Sequence, residues 1–356
     1  MPPGCSGSRH LEEQTSTRTY SRDDTARSRA VFRRTRLERR TLAQSPNTCF
    51  SRTSAWTSSY LDTSDYILNP YGPAWRLNRA VFDHDLRSAA VLNGATLVES
   101  ETVRLLSREP TWAIGFMNGL EALTAVAPWI IDCTGRSRWL IRQLGARTVT
   151  LDKLAAVGLE FYGTYESEPS TMVEAVANGW WYSAQAQSKE RVAVFYSACR
   201  DSIVAAKERH GFFQLLAQTT YVRCRTDRYP SPGGKPWIVT ANSSIATPTS
   251  GDGWLSAGDA CATVDPLSSM GIINALRTGI AAAETIRCSS ARGVKCTALY
   301  DLFLSQLYRN YLAVRKTYYS SVRGVQNDST SNTLKDTQHS ALEGGLPRPQ
   351  LHVLKV

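Results

Sequence analysis

Residues 251–287, GDGWLSAGDACATVDPLSSMGIINALRTGIAAAETIR, constrain the fold of this chain more than any other stretch. Positions 254–257 form a short apolar run of strand character, and Gly258-Asp259 then turns the chain. The loop that follows carries Asp265, Pro266, Ser268, Ser269 and Gly271, residue types that fix or hydrogen-bond a tight backbone. A helix is predicted from near Ile272, lined with the small residues Ala275, Gly279, Ala281, Ala282 and Ala283, which let a second backbone or a flat ligand approach closely. Its N-terminus offers unpaired N–H groups and the positive end of a dipole, suited to an anion or an electron-rich ring edge. Each half alone reads equally well as an ordinary strand-loop-helix element of an α/β core.

The whole string resembles the C-terminal signature of flavoprotein monooxygenases with the p-hydroxybenzoate hydroxylase fold. Within these it is most similar to the tryptophan-halogenase-like branch, with its Gly-Asp-Ala, Asp-Pro-Leu-Ser-Ser-x-Gly and Ala-rich helix. The resemblance implies FAD as cofactor, with Asp259 on the ribityl chain and Pro266, Ser268, Ser269, Met270 and Gly271 beside the isoalloxazine ring. It also implies NAD(P)H as a candidate electron donor.

The chain has 356 residues, 42 % of them hydrophobic, enough for one large domain or two ordinary ones. It lacks an unbroken run of ~18 apolar residues and the apolar core of a secretory signal, so no membrane span is expected. Eight cysteines are scattered without a C-x-x-C pair, beside five histidines. Structural zinc and a disulfide framework are not expected, and a reducing, cytoplasmic compartment fits. Half of the net charge of +10 comes from residues 1–48, where ten Arg face five acids. That segment has two aromatics, Tyr20 and Phe32, and no sustained period, and is expected to be a disordered or poorly packed extension. Aromatics are too few there for a nucleic-acid stacking surface, so nucleic acid is not expected as a partner; the resemblance implies a small-molecule substrate.

From residue 51 the composition shifts. A helix is predicted over 78–92, with Val81, Phe82, Leu86 and Ala89 on one face and Asn93-Gly94 closing it. Arg79 reads as a solvated first-turn residue. In the family, an Arg-x-x-Phe-Asp-x-x-Leu helix follows a Gly- and Trp-containing segment and its Arg contacts the cofactor. Here Tyr71-Gly72-Pro73-Ala74-Trp75 precedes Arg79, and Phe82, Asp83 and Leu86 fall in register. Strands are predicted at 95–103, 111–116 and 127–132, the last entering the turn Cys133-Thr134-Gly135-Arg136-Ser137 and a helix over 139–144. The family carries a matching Asp-x-(Ser/Thr)-Gly-Arg turn near the cofactor; a plain tight turn fits as well.

Segments 157–165, 171–176, 179–184 and 191–197 alternate and are separated by turn signals, which predicts an antiparallel meander. One face is expected to gather aromatics from Phe161, Tyr162, Trp180, Trp181, Tyr182, Phe195 and Tyr196, as a substrate wall or simply as sheet core. A helix over 202–218, a breaker-rich PSPGGKP and a buried strand over 237–241 lead back to the opening motif. A further helix is predicted over 296–319.

The fold class is therefore α/β: an incomplete Rossmann-like FAD-binding domain, 51–150 and 236–315, with an inserted antiparallel substrate domain, 151–235. A basic segment, 1–50, precedes it and a polar tail, 316–356, follows. The sequence carries no G-x-G-x-x-G to cradle a pyrophosphate at a helix N-terminus. The run Gly179-Trp180-Trp181-Tyr182 lies where halogenases carry Gly-Trp-x-Trp-x-Ile-Pro, but Ser183-Ala184-Gln185-Ala186 follows, and no matching catalytic lysine is found. The function expected from the resemblance is an FAD-dependent monooxygenase acting on an aromatic or apolar small molecule in secondary metabolism. The alternatives are a truncated or non-catalytic relative serving as a binding module, and a flavin-dependent halogenase.

Overall fold

The computed structural model describes residues 47–66, 74–100, 102–108, 111–118, 121–164, 170–187, 189–293 and 296–322. Expectations for the basic segment before 47, for Tyr71-Gly72-Pro73 and for the tail after 322 lie outside the described residues. Among the described residues the α-helices are α1 (Arg79–Leu92), α2 (Trp139–Gln143), α3 (Arg200–Lys207), α4 (Arg209–Leu216), α5 (Tyr221–Thr226), α6 (Gly271–Arg292) and α7 (Thr297–Ser320).

The inserted sheet is the largest unit. Strands Ala155–Tyr162, Glu190–Ser197, Gly179–Gln187 and Ser170–Val176 pair antiparallel in that spatial order, as the alternation predicts. Ser51–Ala55 then joins parallel to Ser170–Val176, and Asp62–Asp65 pairs with Ser51–Ala55. The sheet thus extends past the 151–235 boundary at its front. Trp237–Thr240 corrects the expectation of a buried strand: it pairs with Ala155–Tyr162 at the sheet margin and is half-buried to exposed. Its apolar residues reflect an edge strand whose Trp237 ring lies over Gly158, where a Cβ would sit 2.1 Å from the ring.

Helices α3, α4 and α5 cover one face. The single helix expected over 202–218 is broken at Glu208, whose ψ of 135° is extended. Val157, Leu159, Phe161, Trp181, Phe195 and Phe212 pack into one core between sheet and helices. The opposite face carries Ala156, Tyr182, Val194 and Tyr196. Because successive side chains point to opposite faces, the aromatics divide between two layers, which corrects the expectation that one face gathers them.

The second unit is assembled from the flanking segments. Ile130–Asp132 pairs parallel with Trp254–Ser256, the pairing that an α/β crossover produces. Val103–Ser107, Trp112–Asn118 and Glu121–Ala127 form an antiparallel meander: the strand expected at 111–116 is present, whereas the one expected at 95–103 begins only at Val103, and Glu121–Ala127 is an additional strand. Residues 95–100 carry no strand, and Glu121–Ala127, rich in alanine and largely exposed, has a composition that does not announce one. Helices α6 and α7 pack on this unit through Leu255, Cys261, Ala282, Tyr300 and Leu304. Helix α7 runs through Ser320, past the predicted tail boundary at 315, and its last turn touches the inserted sheet: Trp56 Nε1 donates to the Tyr318 carbonyl at 2.8 Å. No helix among the described residues is long and apolar enough to cross a membrane.

Glu174 shows how tightly the sheet holds its helical cover. Its buried carboxylate accepts from the N–H groups of Thr220, Tyr221 and Val222 at 2.6, 3.0 and 2.8 Å, satisfying the start of α5. Glu174→Ala leaves these donors without their acceptor and is expected to lower unfolding stability by about 3 kcal/mol, seen as a reduced denaturant midpoint at unchanged m. Replacing exposed Arg87 by Ala is the control, with a change within ~0.5 kcal/mol. Equal midpoints for the two variants would contradict this account of the cap.

Candidate flavin site

Two distant segments meet at the end of the parallel strand pair. Asp132 is buried where Ile130–Asp132 ends, and one carboxylate oxygen accepts from the Thr134 N–H at 2.9 Å and the Thr134 hydroxyl at 2.6 Å. The other accepts from the N–H groups of Leu140 and Ile141 at 3.0 and 3.1 Å, holding the start of α2. The turn so fixed presents Arg136 to Asp259, with Nε 3.7 Å from the carboxylate, and Arg136 also donates to the Asn242 side-chain oxygen at 2.7 Å. The Arg136–Asp259 pair is partly exposed, so it adds at most about 1 kcal/mol and serves mainly to orient the carboxylate.

Arg138 stitches the same two segments from beneath. Buried in a left-handed conformation, φ 50°, it donates to the Ala260 carbonyl at 3.0 Å, Ser244 Oγ at 2.9 Å and Thr148 Oγ1 at 3.1 Å. Burial pulls its titration below the usual arginine range. Gly258, at φ +61°, allows the turn to press against Ala275 of α6, and its N–H donates to Thr278 Oγ1 at 2.8 Å. The small residues of α6 therefore seat the Gly258-Asp259 turn directly on the helix.

The Asp265 loop is held by α7. Asp265 is buried and accepts the Leu267 N–H at 2.9 Å, capping the single turn Pro266–Ser268. Its second oxygen accepts from the Tyr319 hydroxyl at 2.6 Å and lies 3.5 Å from Arg315 Nε in an ionic contact. Arg315 also pairs with buried Asp152 at 3.2 Å, and the Asp265 N–H donates to the Tyr311 hydroxyl at 2.9 Å. Burial raises the Asp265 carboxyl above the usual carboxylate range, while Arg315 and Tyr319 draw it back. Ser269 then turns left-handed, φ 53°, and α6 begins at Gly271 without a side-chain cap, leaving its first N–H groups to a ligand or solvent. A Cβ at Gly271 would meet nothing within 4 Å, and the Asp259 side chain is 41 % exposed. An accessible carboxylate, a close-approach turn and an uncapped helix start fit the ribityl and ring side of FAD.

Tyr319 joins this loop to the inserted sheet. Its hydroxyl accepts from Trp180 Nε1 at 3.2 Å, and Trp180 stacks on Tyr196 with centroids 3.9 Å apart and planes 10° from parallel. Trp56 meets both Trp180 and Tyr319 edge-on. Of the three predicted pocket residues, only Trp180 is placed against the Asp265 loop, through Tyr319. Tyr182 shares its face farther along, its hydroxyl pushed up to about 12 by burial. Trp181 corrects its own prediction: fully buried beneath α4 against Phe212 at 5.1 Å, with an indole N–H that finds no acceptor, it belongs to the helix-side core.

Arg79 lies apart. It opens α1, 63 % exposed, and its guanidinium pairs with Asp83 one turn on, at 3.2 Å. An open groove of about 560 Å³ borders Ile131, Asp132, Thr134, Val103 and Trp139, and reaches neither Asp259 nor the 266–271 loop. It abuts the edge of Ile130–Asp132 rather than the chemistry. Sequence reasoning missed Tyr319, Arg315 and Tyr311, although their spacing of four places them on one face of a helix, a signal that was available.

Tyr319→Phe is expected to cost about 1–2 kcal/mol and Asp265→Ala about 3 kcal/mol, the latter leaving the Leu267 N–H and the Tyr319 hydroxyl without their acceptor. In the double mutant the losses are expected to be less than additive by at least ~0.5 kcal/mol, because both remove one bond. Strict additivity in a denaturant-monitored cycle would show that the two groups act separately.

Comparison with known proteins supplies the wider frame. LodB of Marinomonas mediterranea is 27 % identical over 235 residues, covering 64 % of this chain and 62 % of LodB. The solved flavin-dependent halogenase CmlS superposes with a TM-score of 0.74 at 19 % identity, covering 90 % of this chain and 62 % of CmlS. The peptidyl tryptophan dihydroxylase QhpG superposes at 0.69 and 19 % identity, covering 93 % of this chain and 71 % of QhpG. The chain thus spans under two thirds of the length of LodB and CmlS, and the structural likeness establishes the fold: a Rossmann-like flavin domain with a substrate domain. The tryptophan halogenase profile matches residues 29–316, and the chain belongs to the tryptophan halogenase family of flavin-dependent proteins.

Proposed function

We propose that this chain is an FAD-dependent halogenase that acts on an electron-rich aromatic substrate. The observation that carries the reading is the junction of Asp259, the 265–271 loop and the Trp180–Tyr196 wall, built on a chain whose family match runs over 29–316. When bound, FAD supplies the redox chemistry and the activation of oxygen. The protein's own residues bind, orient and exclude water. Asp259 takes hydroxyls of the ribityl chain as a hydrogen-bond acceptor, held in position by Arg136. The uncapped start of α6 would offer N–H donors and a positive dipole to the ring edge that becomes electron-rich on reduction. Pro266, Ser268, Ser269 and Met270 shape the loop around that edge, with Ser268 Oγ donating to the Asp265 carbonyl at 2.7 Å. Arg79 enters this set only through the resemblance, and a cofactor contact requires its guanidinium to leave Asp83.

Hydroxylation is the second reading. It is favoured by the departure at 182–185, where Tyr182-Ser183-Ala184-Gln185 stands in place of the halogenase Trp-x-Ile-Pro continuation. The two are separated by turnover of the full chain with FAD, a flavin reductase with NADH, and bromide, against a panel of indoles, phenols and pyrroles. Halogenation yields products with the paired-isotope mass signature of bromine; hydroxylation yields products heavier by one oxygen at any halide concentration. Asp259→Ala is expected to raise the FAD dissociation constant tenfold or more, the scale of one charge-assisted hydrogen bond to a bound ligand. A protein that remains colourless with excess FAD, or an Asp259→Ala variant that binds FAD unchanged, would sink the proposal.

A further inference from the structure

The eight cysteines carry no motif in sequence, yet the fold brings two of them together. Cys288 lies near the end of α6 and Cys296 at the start of α7, and their sulfurs stand 2.8 Å apart. Beside them the Cys296 N–H donates to Ser289 Oγ at 3.0 Å, and the Cys296 carbonyl accepts from the Leu299 N–H at 3.2 Å. Cys288 is half-buried while Cys296 is buried, so Cys288 is the more accessible of the two residues. Helix geometry puts this pair about 25 Å along α6 from Gly271, at the end remote from the flavin side.

We propose that Cys288 and Cys296 form a reversible disulfide that staples the α6–α7 hairpin. Hydrogen peroxide is the oxidant. The Cys288 sulfur attacks the O–O bond, forming an S–O bond and, with its proton, releasing one water. The Cys296 sulfur then displaces the oxygen from Cys288 as a second water, forming the S–S bond. The two thiols lose two electrons and two protons, and the peroxide takes up both. The contact with Cys296 holds the Cys288 thiol above its ordinary range, so the staple forms slowly, under sustained oxidant. Its consequence reaches the site through the helices it joins: α6 opens beside the 266–271 loop, and α7 carries Tyr311, Arg315 and Tyr319 to Asp265.

The chain cleaves conveniently for a test, because trypsin places the two cysteines in separate peptides, 288–292 and 296–309. Full-length protein is exposed to hydrogen peroxide, alkylated, and mapped without reduction. The proposal expects these two peptides to appear as one linked species lighter by two hydrogens. It also expects the melting temperature of the oxidised protein to rise by roughly 5 °C. Dithiothreitol reverses both effects, and Cys288→Ser and Cys296→Ser each abolish them. Cys288→Ser, at the half-exposed position, carries the test if Cys296→Ser fails to fold. The proposal is overturned if 288–292 and 296–309 remain separate after peroxide, if either links to another cysteine peptide instead, or if both advance to sulfinic or sulfonic acid.

Discussion

The buried carboxylate of Asp265 is the contact on which the site depends. A charged group at 1 % side-chain exposure is costly unless it is paired, and here two elements supply its partners. Its own loop supplies the Leu267 N–H, and α7 supplies the Tyr319 hydroxyl and the Arg315 guanidinium. Arg315 is shared with Asp152, whose carboxylate also accepts the N–H groups of Leu154 and Ser243. The result is one polar network that fixes the loop before α6, the register of α7 and the entry to the inserted sheet. Removing Asp265 leaves the Leu267 N–H and the Tyr319 hydroxyl without their acceptor, and this dependence makes the arrangement specific.

Through Tyr319 the network also reaches Trp180, so the loop assigned to the flavin ring and the aromatic face of the sheet share one hydroxyl. Displacement of Trp180 by a substrate would be felt at Asp265 without any contact between them. The Arg136–Asp259 side of the site is different in kind, being exposed, screened by solvent and supported mainly by the buried Asp132 and Arg138 beneath it. A rigid loop and a more adaptable carboxylate suit a cofactor whose ring must be held while its chain is threaded.

Much of this was legible in the sequence, for local reasons. Turn residues at 258–259 and 265–271 dictate their own backbone, and the period-two alternation at 170–197 dictates a meander, so both were readable in advance. What failed depends on partners far along the chain. Trp237–Thr240 is apolar enough to pass for a core strand, and only its pairing with Ala155–Tyr162 shows it to be marginal. Trp180 and Trp181 are indistinguishable by type, and the sheet's pleat alone sends one to Tyr319 and the other beneath α4. Arg79 was singled out by motif register, whereas in the fold it closes a pair within its own helix. Tyr319 carried a helical spacing with Arg315 and Tyr311, but a helix face says nothing of what it meets.

The central claim is that the described residues grip the ribityl and ring side of the flavin. Competition against bound FAD tests it most directly, with riboflavin and ADP as the two halves of the cofactor, read from flavin and tryptophan fluorescence on the full chain. The account predicts that riboflavin displaces FAD, and that Asp259→Ala weakens FAD and riboflavin by the same factor. Displacement by ADP with no effect of riboflavin would contradict it, since recognition would then rest on a phosphate-binding element and not on Asp259 and the 265–271 loop.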